Sequence, residues 1–169
     1  MGYTDQVRQL LKQVETDESV IVEDENQLPP PTVQKTDEEW KKILTSKQYE
    51  VLRRAGTEPS FCGGYKTFKD QLKQNQQEEG VFHCSACDAP LFNAKTSFDS
   101  GSGWPSFWAP VAPKAIGYII DSTLGMERVE VVCNSCHSHL GHVFSDGPRD
   151  KTKLRYCINA ICLALKVKK

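Results

Sequence analysis

Residues 128–136 read Arg128-Val129-Glu130-Val131-Val132-Cys133-Asn134-Ser135-Cys136. Val129 and Val131 alternate with polar neighbours, the period of a strand buried on one side only. The strand runs into a C-x-x-C pair, a spacing that lets one tight turn present two thiolates to a metal ion. A second pair, Cys84-Ser85-Ala86-Cys87, follows another strand candidate, Gly80–His83. Together the pairs make a tetrahedral four-thiolate set, which favours structural zinc, with iron as the alternative. The intervening residues 88–132 are too many for a simple zinc ribbon, so the two turns are expected from distant parts of one β body. Four thiolates leave no open position for substrate, which assigns the site to stability. A redox role for either pair wants a helix start in a βαβ setting, and neither pair has one.

Further strand candidates are Ala115–Ile120 and Leu154–Val167. On an unbroken last strand, Leu154, Tyr156, Ile158 and Ala160 face one way, and Arg155, Cys157, Asn159 and Ile161 the other. Upstream, Thr36 with Glu39 and Thr45 with Gln48 have capping-box spacing. Trp40, Ile43 and Leu44 form a short apolar stripe, and a second helix through Tyr49, Leu52 and Arg53 is expected to stop at Gly56. The result is a mainly β fold with a small helical start, beginning near Thr36 and running over residues 36–169. Residues 1–35 hold three bases against seven acids and contain Pro29-Pro30-Pro31. Apart from a short amphipathic helix over Gln6–Val14, they read as an acidic, flexible extension.

With 169 residues, 38% hydrophobic, 25% charged and a net charge of -1, the chain reads as one soluble domain plus that extension. No basic face marks a nucleic-acid binder, and Lys166, Lys168 and Lys169 read as a solvated end. No run approaches the roughly 20 apolar residues of a membrane span. The opening MGYTDQVRQL lacks the apolar core of a secretory signal, and Gln6 stands where myristoylation wants Ser or Thr. A cytoplasmic location is expected. Seven cysteines, an odd number, argue against a disulfide framework.

Cys157 lies between Arg155 and Asn159. A guanidinium two residues away favours the thiolate, and an amide can donate to an oxygen gaining charge. A lone strand cysteine is, however, commonly a small core residue. Three of the four histidines fall in His137-Ser138-His139-Leu140-Gly141-His142-Val143-Phe144. Imidazoles are the usual proton donors near neutral pH. Gly101-Ser102-Gly103-Trp104-Pro105-Ser106-Phe107-Trp108 offers close approach and an aromatic wall suited to a sulfur-bearing group.

In combination and in this order, RAGTEPSFCGGY, HCSACDAPLF, FDSGSGWPSF, CNSCHSHLGHVFSDGP and RYCIN resemble the type B methionine sulfoxide reductases over roughly Thr36 to Leu165. The resemblance implies two largely antiparallel sheets with small flanking helices, and structural zinc on Cys84, Cys87, Cys133 and Cys136. It implies that Cys157 attacks the sulfoxide sulfur of oxidised methionine in proteins and is left as a sulfenic acid. It further implies that Trp104 packs on the substrate methyl group, with Phe144 counted beside it. His139, His142 and Asn159 would bind and help protonate the oxygen, with Arg155 nearby. Many members carry a resolving cysteine just before the Gly-Trp-Pro element, where this chain has Ser102. Cys62, between Phe61 and two glycines, is the expected substitute, some members being similar in having a cysteine there; an external thiol is the alternative. Thioredoxin is the expected reductant and a monomer the expected state. Cys162, five residues beyond Cys157, reads as core. The competing class is a non-enzymatic zinc-ribbon module that binds a protein partner, which has no use for Cys157, Trp104 or the histidines.

Overall fold

A computed structural model of the chain describes residues 2–14, 21–74 and 80–167. In chain order the elements are α1 (Tyr3–Val14), β1 (Ile21–Val22), α2 (Asp37–Ile43), α3 (Ser46–Leu52), α4 (Gly63–Gln74), β2 (Gly80–Cys84), β3 (Pro90–Asn93), β4 (Ser106–Phe107), β5 (Ile116–Asp121), β6 (Arg128–Cys133), β7 (His139–Phe144), β8 (Arg155–Ile158) and β9 (Leu163–Val167). They form a six-stranded sheet, ordered β1-β5-β6-β7-β8-β4, and a three-stranded sheet, ordered β3-β2-β9. Every pairing is antiparallel except β1 on β5. The mainly β, two-sheet expectation holds.

Alternation explains which face of the large sheet is buried. Tyr118, Val129, Val131, Val143, Tyr156 and Ile158 point into the main core, where Phe82, Phe92 and Phe107 join the two sheets. The Tyr118 and Tyr156 hydroxyls meet at 2.7 Å, which satisfies both inside that core. Both capping boxes form as expected: the Thr36 hydroxyl accepts from the Glu39 N–H and that of Thr45 from the Gln48 N–H. The turn after α3 differs slightly, since Ala55 rather than Gly56 takes the positive φ. Helix α4 was not expected, although Tyr65, Phe68 and Leu72 have the i, i+3, i+7 spacing of a buried stripe.

One expectation is corrected. The last strand is not unbroken: it stops at Ile158, makes a 3-10 turn over Ala160–Cys162, and resumes as β9 in the other sheet. Asn159 forces the break. Its N–H and its side-chain Nδ2 both donate to Leu140 O, at 2.9 and 3.0 Å. The Glu58 carboxylate then accepts the Ala160 and Ile161 N–H groups at 2.7 and 2.9 Å, so the turn's free donors are satisfied. Cys162 is fully buried, as expected of core.

Described parts of residues 1–35 pack against this body. Helix α1 forms where expected, but it is packed: Val7 and Leu11 are 1% and 0% exposed and belong to the main core. At roughly 1.5–3 kcal/mol per buried aliphatic side chain, that anchors the helix. Val22 and Leu28 join Ile119 and Val132 in a smaller cluster on the opposite face of the sheet. Pro29 O accepts from His137 Nε2 at 3.0 Å, and the Val33 N–H donates to Ser135 O at 2.8 Å. The acidic composition conceals these few well-placed apolar residues. Residues 15–20 of this stretch, with Glu15, Asp17 and Glu18, lie outside the described residues, as do Lys168 and Lys169. Among the described residues no helix is long and apolar enough to cross a membrane.

Candidate active site and metal site

The four paired cysteines converge. Cys84 ends β2 and Cys133 ends β6, so the cluster joins the two sheets. Both turns are built alike. The Asp88 N–H donates to Cys84 O at 2.8 Å and the His137 N–H to Cys133 O at 2.7 Å. Asp88 and His137 both adopt the left-handed conformation, φ 69° and 61°. All four sulfurs lie within 4.8 Å of one another, with Cys84–Cys136 at 3.8 Å and Cys87–Cys133 at 3.6 Å. A tetrahedron with metal–sulfur bonds of about 2.3 Å has edges of about 3.8 Å, so the donor set fits a four-coordinate thiolate site. Hydrogen bonds among the sulfurs push the Cys84 and Cys133 thiols up and hold those of Cys87 and Cys136 down. A divalent cation removes that conflict by taking all four as thiolates.

The outward face of the large sheet carries a separate constellation. Directly opposed residues share a face, and the registers run Ile119 to Glu130, Glu130 to His142, His142 to Cys157 and Cys157 to Ser106. One row across five strands therefore contains Cys157, His142 and Glu130. His139, three residues from His142, would face inward on a regular strand. A β-bulge prevents this: Val132 pairs with His139 and Val131 with Gly141, leaving Leu140 as the extra residue. The two imidazoles end on one face, with ring centroids 5.6 Å apart. Gly141 is required here because a Cβ would collide with the Cys157 carbonyl.

Each imidazole is held by a carboxylate. Glu130 Oε2 is 2.6 Å from His139 Nδ1, and Asp121 Oδ2 is 2.8 Å from His142 Nε2. A carboxylate only accepts, so each ring carries a hydrogen on the nitrogen that faces it. His139 Nε2 is left buried without a partner. Burial keeps the His142 pKa below the ordinary histidine value, against the pull of Asp121, so His142 is neutral at pH 7. Burial pushes the Asp121 carboxyl up, but hydrogen bonds from Thr123 and His142 outweigh it and hold the group well below the usual range. Both groups have lower pKa values folded than unfolded, so each contributes stability that is lost as pH falls. For His142 the loss starts below about pH 6.5, and for Asp121 below about 3.8. The unfolding free energy should therefore decline from pH 8 to pH 5, by at most about 1.4 kcal/mol per pH unit, from His142 alone. His142→Gln should flatten the slope; an identical slope in the variant would show that His142 does not titrate in this way.

Around Cys157, burial pushes the thiol up, while the Arg155 guanidinium and the Ser102 hydroxyl pull it down. Arg155 is itself tied to Asp146, Nε to Oδ1 at 2.8 Å, and lies 4.4 Å over the Phe144 ring. Ser102 and Arg155 open onto a cavity of about 420 Å³ that also touches Phe98 and Asp146. The structure thus brings Cys157, Arg155, His139, His142 and Phe144 to one face. Asn159 stands apart from that group: it is 4% exposed, and its Oδ1 accepts the Glu58 N–H while Nδ2 serves Leu140 O. Trp104 donates its indole N–H to Glu58 O at 2.9 Å and backs a different hollow, with Tyr65 and Phe98.

Cys62 is a free thiol, as is Cys157. It precedes α4 and lines an apolar cavity of about 680 Å³ with Val51, Phe68 and Leu163. Its loop is bound to the Gly103 segment, the Phe61 N–H donating to Gly103 O at 2.8 Å. Gly103, at φ 84°, has no room for a Cβ against the Phe61 ring. The sequence reading missed Asp121, Arg128 and Glu130. Arg128 and Glu130 alternate with Val129 and Val131, which marks them as outward, but only the cross-strand registers show what they meet.

Residues 44–167 match the SelR domain family. A protein of Chromohalobacter salexigens named peptide methionine sulfoxide reductase MsrB is 50% identical over 131 residues, covering 78% of this chain and 92% of that protein. One of the same name from Pseudomonas syringae pv. syringae is 52% identical over 133 residues, covering 79% and 95%.

Proposed function

This chain belongs to the SelR-domain peptide methionine sulfoxide reductases and is an enzyme of methionine sulfoxide reduction; on that premise we propose that Cys157 is its nucleophile and the R-sulfoxide of protein methionine its substrate. The observation that carries this reading is the single face shared by Cys157 and two carboxylate-bound histidines. The Cys157 thiolate attacks the sulfoxide sulfur. Oxygen passes to the cysteine sulfur, which loses two electrons as the substrate sulfur gains two, and methionine leaves. The oxygen takes a proton during transfer. That proton is the one the Cys157 thiol gives up on becoming the thiolate; we assign its carriage to His139, at its unpartnered Nε2, and His142, at Nδ1, with the rings oriented by Glu130 and Asp121. Phe144 holds the thioether methyl together with Trp104, whose hollow shares Phe98 with the cavity beside Arg155; Arg155 favours the thiolate, and Asn159 acts from behind the face, through the Leu140 and Glu58 bonds that fix the turn after Cys157.

Resolution follows from Cys62. Its thiol condenses with the Cys157 sulfenic acid, forming a disulfide and releasing water. A dithiol reductant of the thioredoxin class then returns both cysteines to thiols by exchange. The bond between Phe61 and Gly103 ties the Cys62 loop to the segment that runs into Ser106, the cross-strand neighbour of Cys157. The metal we assign to Cys84, Cys87, Cys133 and Cys136 is zinc, whose contribution is structural. A reducing cytoplasmic setting and a monomeric chain fit this chemistry.

The test uses a methionine sulfoxide peptide with thioredoxin, its reductase and nicotinamide cofactor. The unsubstituted chain should consume the R epimer through many turnovers and leave the S epimer. Cys62→Ser should complete one turnover per chain and then stall, a loss of about 100-fold or more in steady-state rate. Consumption of the S epimer would overturn the substrate assignment, and undiminished cycling without Cys62 would overturn the resolver.

A further inference from the structure

Three serines form a chain of hydroxyls beside Cys157, joined to it through the cross-strand pairing of Ser106. Ser106, 1% exposed, pairs with Cys157 across β4 and β8. It donates its only hydroxyl hydrogen to Trp104 O at 3.1 Å. Its oxygen lies 2.8 Å from that of Ser100, which in turn lies 2.8 Å from that of Ser102. With the Ser106 hydrogen committed, Ser100 is the donor between those two. The Ser100 oxygen also receives the Ser102 backbone N–H at 3.3 Å, so it keeps a donor when the Ser102 hydroxyl turns away. The Ser102 oxygen accepts the Trp104 N–H at 3.4 Å, which fixes it in place. Of the three hydroxyl hydrogens, that of Ser102 alone can leave its partner, Ser100, and turn toward Cys157 without leaving an acceptor unserved. Main chain and side chain both hold the oxygen, so rotation of that hydrogen costs little reorganisation.

We propose that Ser102 is a further catalytic residue, whose hydroxyl donates to the Cys157 sulfur as it becomes a thiolate, with Ser100 and Ser106 as the positioning residues that hold it there. The proposal rests on the reading of Cys157 as nucleophile. Its chemistry is that of a neutral donor to a sulfur anion, the kind of hydrogen bond that favours the charged form. The side-chain effects on the Cys157 thiol agree in sign, since Ser102 and Arg155 both oppose the effect of burial. The role differs from that of Arg155, whose guanidinium is shared with the exposed Asp146 and is open to solvent screening. The Ser102 contact has no net charge to screen.

The test is the pH profile of iodoacetamide alkylation at Cys157 in the reduced, metal-loaded chain, read by peptide mass spectrometry, beside the single-turnover rate with an R-sulfoxide peptide. Ser102→Ala should move the alkylation midpoint up by about one pH unit and slow single turnover at pH 7 roughly tenfold. Ser102→Thr, which keeps the hydroxyl, should restore both to within about twofold. Ser100→Ala should move both in the same direction by less, roughly threefold, and it serves also if Ser102→Ala does not fold. An unmoved midpoint in the alanine variants, or a shift that Ser102→Thr does not correct, would overturn the proposal. The unsubstituted chain separates the two levels. Cys157 oxidised after one turnover, with no shift on substitution, refutes Ser102 alone; Cys157 left unoxidised refutes the nucleophile assignment beneath it.

Discussion

Replacing Cys157 by serine is expected to lower methionine sulfoxide reduction by more than about 10³-fold while leaving metal content unchanged. The reaction needs an atom that attacks sulfur and can then carry oxygen. A thiolate does both, because the resulting sulfenic acid is a reachable state of sulfur. A serine oxygen in the same place is a far weaker nucleophile, and its oxygenated product would contain a weak oxygen–oxygen bond. The fold should tolerate the change, since Cys157 lies on the outward face and serine is slightly smaller. Steady-state assays with a chemical dithiol, so that no resolving step intervenes, read the loss directly. Activity within tenfold of the unsubstituted chain would remove Cys157 from the mechanism.

The second large effect is on stability. Cys133→Ser, or exhaustive chelation, should release one equivalent of zinc and lower the thermal midpoint by roughly 8–16 °C. The four sulfurs draw together two turns far apart in sequence, one on each sheet. Closing a loop of that size costs the unfolded chain about 4 kcal/mol, which the metal cross-link offsets in the folded state. Four crowded thiols without a cation add to the loss. The catalytic face should be affected only through the fold, because Cys157 and the histidines do not contribute to the cluster. Metal analysis together with a thermal scan checks this. A midpoint unmoved by complete metal removal would show that packing alone holds the two turns together.

The fold was readable where one rule decided it. Val129 and Val131 marked a one-sided strand, and the two C-x-x-C pairs announced the cluster that joins the sheets. The capping boxes at Thr36 and Thr45 set helix starts that the structure keeps. Reading stopped where two rules competed. Alternation carried the last strand past Ile158, although Asn159 and Glu58 bind the backbone there and send it to the other sheet. Period-two reasoning cannot place His139 beside His142, because the bulge at Leu140 adds a residue that leaves no trace in composition. The carboxylates were invisible for a related reason. Asp121 and Glu130 reach the histidines across strands, and sequence fixes a strand's faces before it fixes its neighbours. In the N-terminal stretch two side chains, Val7 and Leu11, anchor a helix within a segment whose average character is acidic.

One turnover with an R-sulfoxide peptide and no reductant, followed by peptide mass spectrometry of every cysteine, tests the central claim most directly. The expected product is a disulfide between Cys62 and Cys157, and in Cys62→Ser a single added oxygen trapped on Cys157. Methionine formed in stoichiometric amount with Cys157 still a free, unoxidised thiol would contradict the assignment.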